Sequence, residues 1–150
     1  VLDAAEGCTT VVVSDDQAVL DWAAGRADLA LLQPQPGLNE ALRFASVYLR
    51  DSCAAQRLLI CHSDLLQPGA MREILDIDRS VIAPDRAGLG TNLLSVDITT
   101  EFRFAYGPGS YARHAAALRA TGRGPTLHLW NSTWSNDVDT PDDLQRLKLI

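Results

Sequence analysis

Short apolar runs alternate with longer segments of helical periodicity along this chain, and that alternation restricts the fold more than any other feature. The runs are TTVVVS (9–14), ADLALLQ (27–33), RLLIC (57–61) and SVIA (80–83), followed by NLLSVDI (92–98), FRFAY (102–106) and TLHLW (126–130). Their shortness and β-branched content predict buried strands. Between them lie helical segments. DDQAVLDWAAG carries Asp at its start and Gly25 at its end. LNEALRFASVYLRD places Leu38, Ala41, Leu42, Ala45 and Leu49 on one face. QPGAMREILDI has Pro68 near its start, and SYARHAAALRATG has Ser110 as a candidate cap and Gly122 as a stop. TPDDLQRLKLI has Thr140 as cap, Pro141 at the first helical position, and Asp142 and Asp143 set against the dipole. Strands this continuously apolar are covered on both faces, so the expectation is an α/β sandwich with a mostly parallel sheet. At 150 residues the chain predicts one domain, residues 1–150. In such folds ligands bind beyond the carboxyl ends of the strands.

Composition removes several classes of function. The chain is 47% hydrophobic and 21% charged, which is ordinary for a globular domain. A net charge of −6 argues against a nucleic-acid or anionic-membrane partner, both of which need a basic face, but not against a small anion held by local donors. No apolar run reaches the length of a membrane span, and no signal-peptide pattern is present. Three cysteines, Cys8, Cys53 and Cys61, form no CxxC pair, so a reducing, cytoplasmic setting without structural zinc is expected. Cys61 reads as a buried strand residue. The first residue is Val, and a start part-way into a longer protein is expected.

Polar clusters stand at the expected strand ends. Pro36-Gly37-Leu38-Asn39 opens a helix, and as such is a turn and helix start. In HSDLLQ, Asp64 follows its strand directly and would face the cleft. His62 lacks a second His at ligand spacing. Residues 85–92, DRAGLGTN, are either a plain turn or a loop shaped for an anion. In YGPGSYARH, Gly107 and Gly109 permit close approach by a ligand, and Ser110 opens a helix whose N-terminus favours an anion. Asp137 and Asp139, two apart, place both carboxylates on one side of an extended segment, an arrangement that suits Mg2+ as well as it suits a tolerated surface helix start.

Three of these motifs in this order, VIAPDRAGLGTNLL, FAYGPGSYARH and DVDTPDDL, closely resemble the 2-phospho-L-lactate / phosphoenolpyruvate guanylyltransferase family of coenzyme F-420 biosynthesis. PGLNEAL and LLICHSD fit as well, so the resemblance covers nearly the whole chain. It implies a three-layer α/β/α fold of the nucleotide-diphospho-sugar transferase type. It also implies transfer of GMP from GTP to a small phosphorylated organic acid, with release of pyrophosphate and with two Mg2+ ions as cofactors. The family's metal carboxylates carry over to Asp64, Asp137 and Asp139, and its acceptor site to Thr91, Gly107 and Ser110. Arg86, Asn92, Arg113 and His114 follow as further acceptor-side candidates, and Gly37 and Asn39 as nucleotide-side candidates. GTP and the phospho-acid are the implied partners; the oligomeric state is left open, a homo-oligomer included.

The chain departs from the family pattern twice. The family has Asp-Leu-Pro after the third strand, where this chain has SDLLQP. Alignment from the strand puts the acid at Asp64, and ungapped alignment from LLQP puts His62 there. The strand fixes which position faces the cleft, so Asp64 is preferred. The family's first strand and its Lys/Arg-bearing loop have no counterpart, so the chain reads as N-terminally incomplete. Two rival readings stand beside guanylyl transfer: a non-catalytic relative that binds a phospho-acid or a partner subunit, and a nucleotidyltransferase of another pathway.

Overall fold

The computed structural model describes residues 2–65 and 68–138. Asp139 and the segment TPDDLQRLKLI lie outside them.

The first helix forms where the sequence places a cap. α1 (Gln17–Ala23) begins at Asp16, whose carboxylate accepts from the Ala18 N–H at 2.8 Å. α2 (Leu38–Cys53) is the longest helix and buries Ala41, Ala45, Ser46 and Leu49. α3 (Met71–Leu75) is short, and α4 (Ser110–Ala120) ends at Thr121, just before Gly122 at φ +66°. The strands are β1 (Val11–Ser14), β2 (Leu29–Leu32), β3 (Arg57–Cys61), β4 (Val81–Pro84), β5 (Thr91–Asp97) and β6 (Leu127–His128).

β1 and β2 pair in parallel as a two-stranded sheet, while the other four make a sheet in the order β3-β5-β4-β6. β4 and β6 pair in parallel, and β5 is antiparallel to both β3 and β4. Three strands of the four therefore run in one direction, but the centre of the sheet is the exception. An unbroken apolar strand reports burial on both faces and carries no information on direction. Leu93, Leu94 and Val96 of β5 are at most 1% exposed. Each such burial contributes about 1.5–3 kcal/mol, so β5 is the spine of both apolar clusters that flank the sheet.

Two expected strands change. TLHLW shrinks to a two-residue strand, with Leu129 N–H adding one more bond to the Ile82 carbonyl at 2.9 Å. FRFAY is not a strand. Phe102, Phe104 and Tyr106 are buried in the alternating pattern expected of one, but side chains replace the missing ladder. Asn39 makes a two-way pair with the Tyr106 backbone, accepting from its N–H at 2.7 Å and donating to its carbonyl at 3.1 Å. Arg113 donates to the Ala105 carbonyl at 2.8 and 3.1 Å, and the Ala105 N–H donates to His114 Nε2 at 2.9 Å.

The antiparallel course of β5 positions the site. β3 and β4 end at the sheet edge where β5 begins, so residues 62–64, Asp85 and Thr91-Asn92 meet there. The β4–β5 pairing slips by one residue at this edge: Ala83 pairs with Leu93 and Pro84 with Thr91. Asn92 is the extra residue of a bulge, and such bulges re-aim side chains at functional edges.

Candidate functional site

At that edge lies a cleft of about 220 Å3 lined by Leu38, His62, Asp64, Asp85, Gly90, Thr91, Asn92, Tyr106, Gly107, Ser110 and Asp137. In a regular strand Thr91 and Asn92 would face opposite sides. The bulge brings both to the cleft.

The loop at 85–90 does hold an anion, its own Asp85. That carboxylate accepts from the Leu89 N–H at 2.8 Å and the Gly90 N–H at 2.7 Å, while Asp85 N–H and Gly88 N–H close the turn on the Gly90 and Asp85 carbonyls. Gly90 is needed because a Cβ there would stand 2.7 Å from Asp85 Oδ2. The loop is therefore set before any ligand arrives, and it presents Thr91 at its exit.

The GPGS segment supplies the opposite wall. Gly107 at φ +118° and Gly109 at φ +71° turn the chain into α4. Ser110 is the first residue of α4 and not its cap; Gly109 is the cap, with no side-chain bond. Two N–H groups at this helix end are already engaged, Ser110 N–H on the Gly107 carbonyl and Tyr111 N–H on the Leu89 carbonyl. Anion affinity at this wall therefore falls mainly to side chains. The Ser110 hydroxyl meets Thr91 Oγ1 at 3.2 Å, and Thr91 Oγ1 meets His114 Nδ1 at 3.0 Å. All three residues are buried, His114 completely.

The third wall carries the acids. Asp64 follows β3, and Asp137 sits beside it through a bridge between Leu65 and Asp137, with Val138 N–H on the Asp64 carbonyl at 3.2 Å. A 3-10 turn at Thr133–Ser135 fixes this segment by burying Trp134 and by a Ser135 Oγ–H bond to the Pro84 carbonyl at 3.0 Å. Among the described residues no group of three His, Cys, Asp or Glu has metal-holding geometry. The two carboxylates are hard oxygen donors sharing one cleft, the set that Mg2+ takes when substrate phosphates complete its shell.

The sequence candidates thus divide. Asp64, Asp137, Thr91, Asn92, Gly107 and Ser110 converge on one cleft. Asn39 and Arg113 reach the 102–106 segment, where they hold backbone. His114 stands behind Thr91. Gly37 at φ +104° is the cap of α2, whose first residue Leu38 lines the cleft. Arg86 is exposed and is not part of the lining. Asp139 lies outside the described residues.

Two polar lining residues, Asp85 and Tyr106, are not marked by the sequence, and His62 is marked there only as the alternative to Asp64. Asp85 was hidden inside a loop read for its glycines. Tyr106 and His62 stack at 5.3 Å between ring centroids, and a contact between residues so distant in sequence leaves no local signal. Among the described residues, Tyr106 OH, Asn92 Nδ2 and His62 Nε2 are buried without a hydrogen-bond partner. Buried polar atoms are rarely left so, and all three belong to residues that line the one cleft. Cys61 is not a nucleophile here: burial pushes its thiol up to about 11.

His114 gives the site a pH signature. Burial, helped by nearby Arg113, lowers it from 6.5 to about 4. The unfolded chain takes up this proton near pH 6.5, the folded one only near pH 4. Stability is therefore fully present above pH 6.5 and is lost as pH falls through that window, by about 3 kcal/mol in all. Denaturant melts across the window are expected to show this slope, and a folded His114→Gln variant is expected to lose it. An unchanged slope in the variant would assign the effect elsewhere.

With an α/β body and an acid-and-hydroxyl cleft beyond its strand ends, the comparisons with known proteins agree. The family described as guanylyl transferase CofC like matches residues 1–150, and the chain belongs to it. It is similar to the phosphoenolpyruvate guanylyltransferase of Sphaerobacter thermophilus, 38% identical over 147 residues that cover 91% of this chain and 68% of that protein. The protein of that name from Rubrobacter xylanophilus is 34% identical, with 92% and 69% covered. The 2-phospho-L-lactate guanylyltransferase of Methanocaldococcus jannaschii is 28% identical, with 96% and 64% covered. The chain thus spans about two thirds of the length of these relatives. No helix among the described residues is long and apolar enough to cross a membrane.

Proposed function

We propose that the chain forms the acceptor and metal side of a guanylyltransferase that moves GMP from GTP onto the phosphate of a small phosphorylated organic acid, phosphoenolpyruvate or 2-phospho-L-lactate, as a step in making coenzyme F-420. The observation that carries this reading is the convergence of Thr91, Asn92 and Ser110 with Asp64 and Asp137 on one cleft. An oxygen of the acceptor phosphate attacks the α-phosphorus of GTP. The bond from that phosphorus to the bridging oxygen breaks, and pyrophosphate leaves with the electron pair. The acceptor phosphate is already largely dianionic near pH 7, since its second pKa is about 6, so no strong base is required. The chain has to hold two anions in line and neutralise their charge.

Thr91 and Ser110 suit the acceptor anion from two sides, and Asn92 and Tyr106 bring to the same cleft polar atoms that have no partner among the described residues. Asp64 and Asp137, with Asp139 implied by the family resemblance, would hold Mg2+. When bound, the metal lowers the charge on the phosphates. Cytoplasmic location and GTP as the nucleotide belong to the same proposal.

The test is pyrophosphate release by the complete protein with GTP, Mg2+ and a panel of acceptors: phosphoenolpyruvate, 2-phospho-L-lactate and 3-phospho-D-glycerate. Turnover with one of the first two is expected. Binding of a phospho-acid without turnover on any acceptor would instead identify a non-catalytic relative.

A further inference from the structure

We propose that His114 is a positioning residue: clamped by the Ala105 N–H, it forces one hydroxyl proton of the Thr91–Ser110 pair into the cleft, where it donates to an anionic oxygen of the phospho-acid. The proposal rests on reading the cleft as the acceptor site.

A backbone N–H can only donate. The Ala105 N–H lies 2.9 Å from His114 Nε2, so that nitrogen must accept and carries no proton. A neutral imidazole has one proton, which therefore sits on Nδ1. Nδ1–H then donates to Thr91 Oγ1 at 3.0 Å. Thr91 and Ser110 have two hydroxyl protons between them, and their 3.2 Å contact uses one. With Ser110 as donor in that contact, Thr91 keeps its proton; with the direction reversed, Ser110 keeps it. His114 cannot take the remaining proton in either case. Neither hydroxyl makes another hydrogen bond among the described residues, and both residues line the cleft.

The opposite tautomer would reverse the character of the site. Nδ1 would accept the Thr91 proton, Ser110 would donate to Thr91, and the pair would show only lone pairs to an anion. The surroundings fix the ring against that state. Tyr106 packs edge-on at 4.6 Å between centroids and Phe102 lies at 6.3 Å, while Arg113 grips the Ala105 carbonyl. Burial keeps the ring neutral through the working range of pH, which the argument requires.

Two measurements on the complete protein test the proposal. Long-range 1H–15N correlation of the wild type at neutral pH is expected to show a protonated Nδ1 and an unprotonated Nε2 for His114. A proton on Nε2 would overturn the proposal, and this readout needs neither turnover nor a ligand. In kinetics, His114→Leu is expected to raise the KM for phosphoenolpyruvate by roughly ten- to a hundredfold, the worth of one hydrogen bond to a charged group. The KM for GTP should not change, and His114→Asn, which can still donate toward Thr91, should restore most of the loss. An unaltered phosphoenolpyruvate KM in a folded Leu variant overturns the proposal. If no acceptor supports turnover, the guanylyltransferase reading fails by itself. Calorimetric titration with phosphoenolpyruvate then replaces KM, and the tautomer measurement still decides the role of His114.

Discussion

Changing Asp137 to Asn is expected to reduce GMP transfer by the complete protein about a hundredfold or more in a protein that still folds. Asp137 is placed by its backbone bridge to Leu65 and by the buried Trp134 upstream, and Asn preserves both. The substitution removes the charge that Asp137 offers to a cation. Charge stabilisation by a bound metal is worth several kcal/mol at a transferring phosphoryl group, and about 3 kcal/mol is already a hundredfold in rate. Titration with Mg2+ separates loss of binding from loss of the chemical step. If affinity for the ion is what fails, saturating Mg2+ should recover part of the rate. Near wild-type turnover at ordinary Mg2+ would remove Asp137 from the metal site.

The second large effect is structural. Gly90→Ala would place a methyl 2.7 Å from Asp85 Oδ2 and 3.3 Å from its Cγ. Either the backbone moves or the carboxylate swings away and releases two N–H groups. Overpacking costs about 1–3 kcal/mol, and a hydrogen bond to a charged group about 1.5–3 kcal/mol. A loss of about 3 kcal/mol corresponds to a fall in melting temperature of roughly 10 °C in a domain of this size. Leu89→Ala in the same loop is the control. Its side chain is 63% exposed, and such surface changes fall within about 0.5 kcal/mol. Equal melting temperatures for the two variants would show that the Asp85 clasp is not what shapes the loop.

The contrast between these residues shows what sequence could and could not convey. Element types were legible because burial and capping are local: the apolar runs gave β1 to β5, and Asp16 gave the start of α1. Strand direction was not legible, since Leu93, Leu94 and Val96 would be equally apolar in either orientation. FRFAY is instructive in another way. Its period of two correctly reported Phe102, Phe104 and Tyr106 as buried, but a strand also needs a partner, and here Asn39, Arg113 and His114 serve as one. The family resemblance marks those same three residues as facing ligands. Asp64, Asp137, Thr91 and Ser110 could be picked out because chemistry and family resemblance both marked them. Their common cleft depends on the bulge at Asn92, which depends on a register that no window of sequence reveals.

The clasp and the bulge together make chain length, and not side-chain identity, the constrained variable between β4 and β5. Arg86, Ala87 and Leu89 point to solvent and can vary widely. One residue added or removed there would leave Asp85 closing the wrong ring of atoms and would turn either Thr91 or Asn92 away from the cleft. The hairpin therefore acts as a ruler: drift in composition passes unnoticed, but an insertion or deletion is read at once as a change in which side chain enters the cleft.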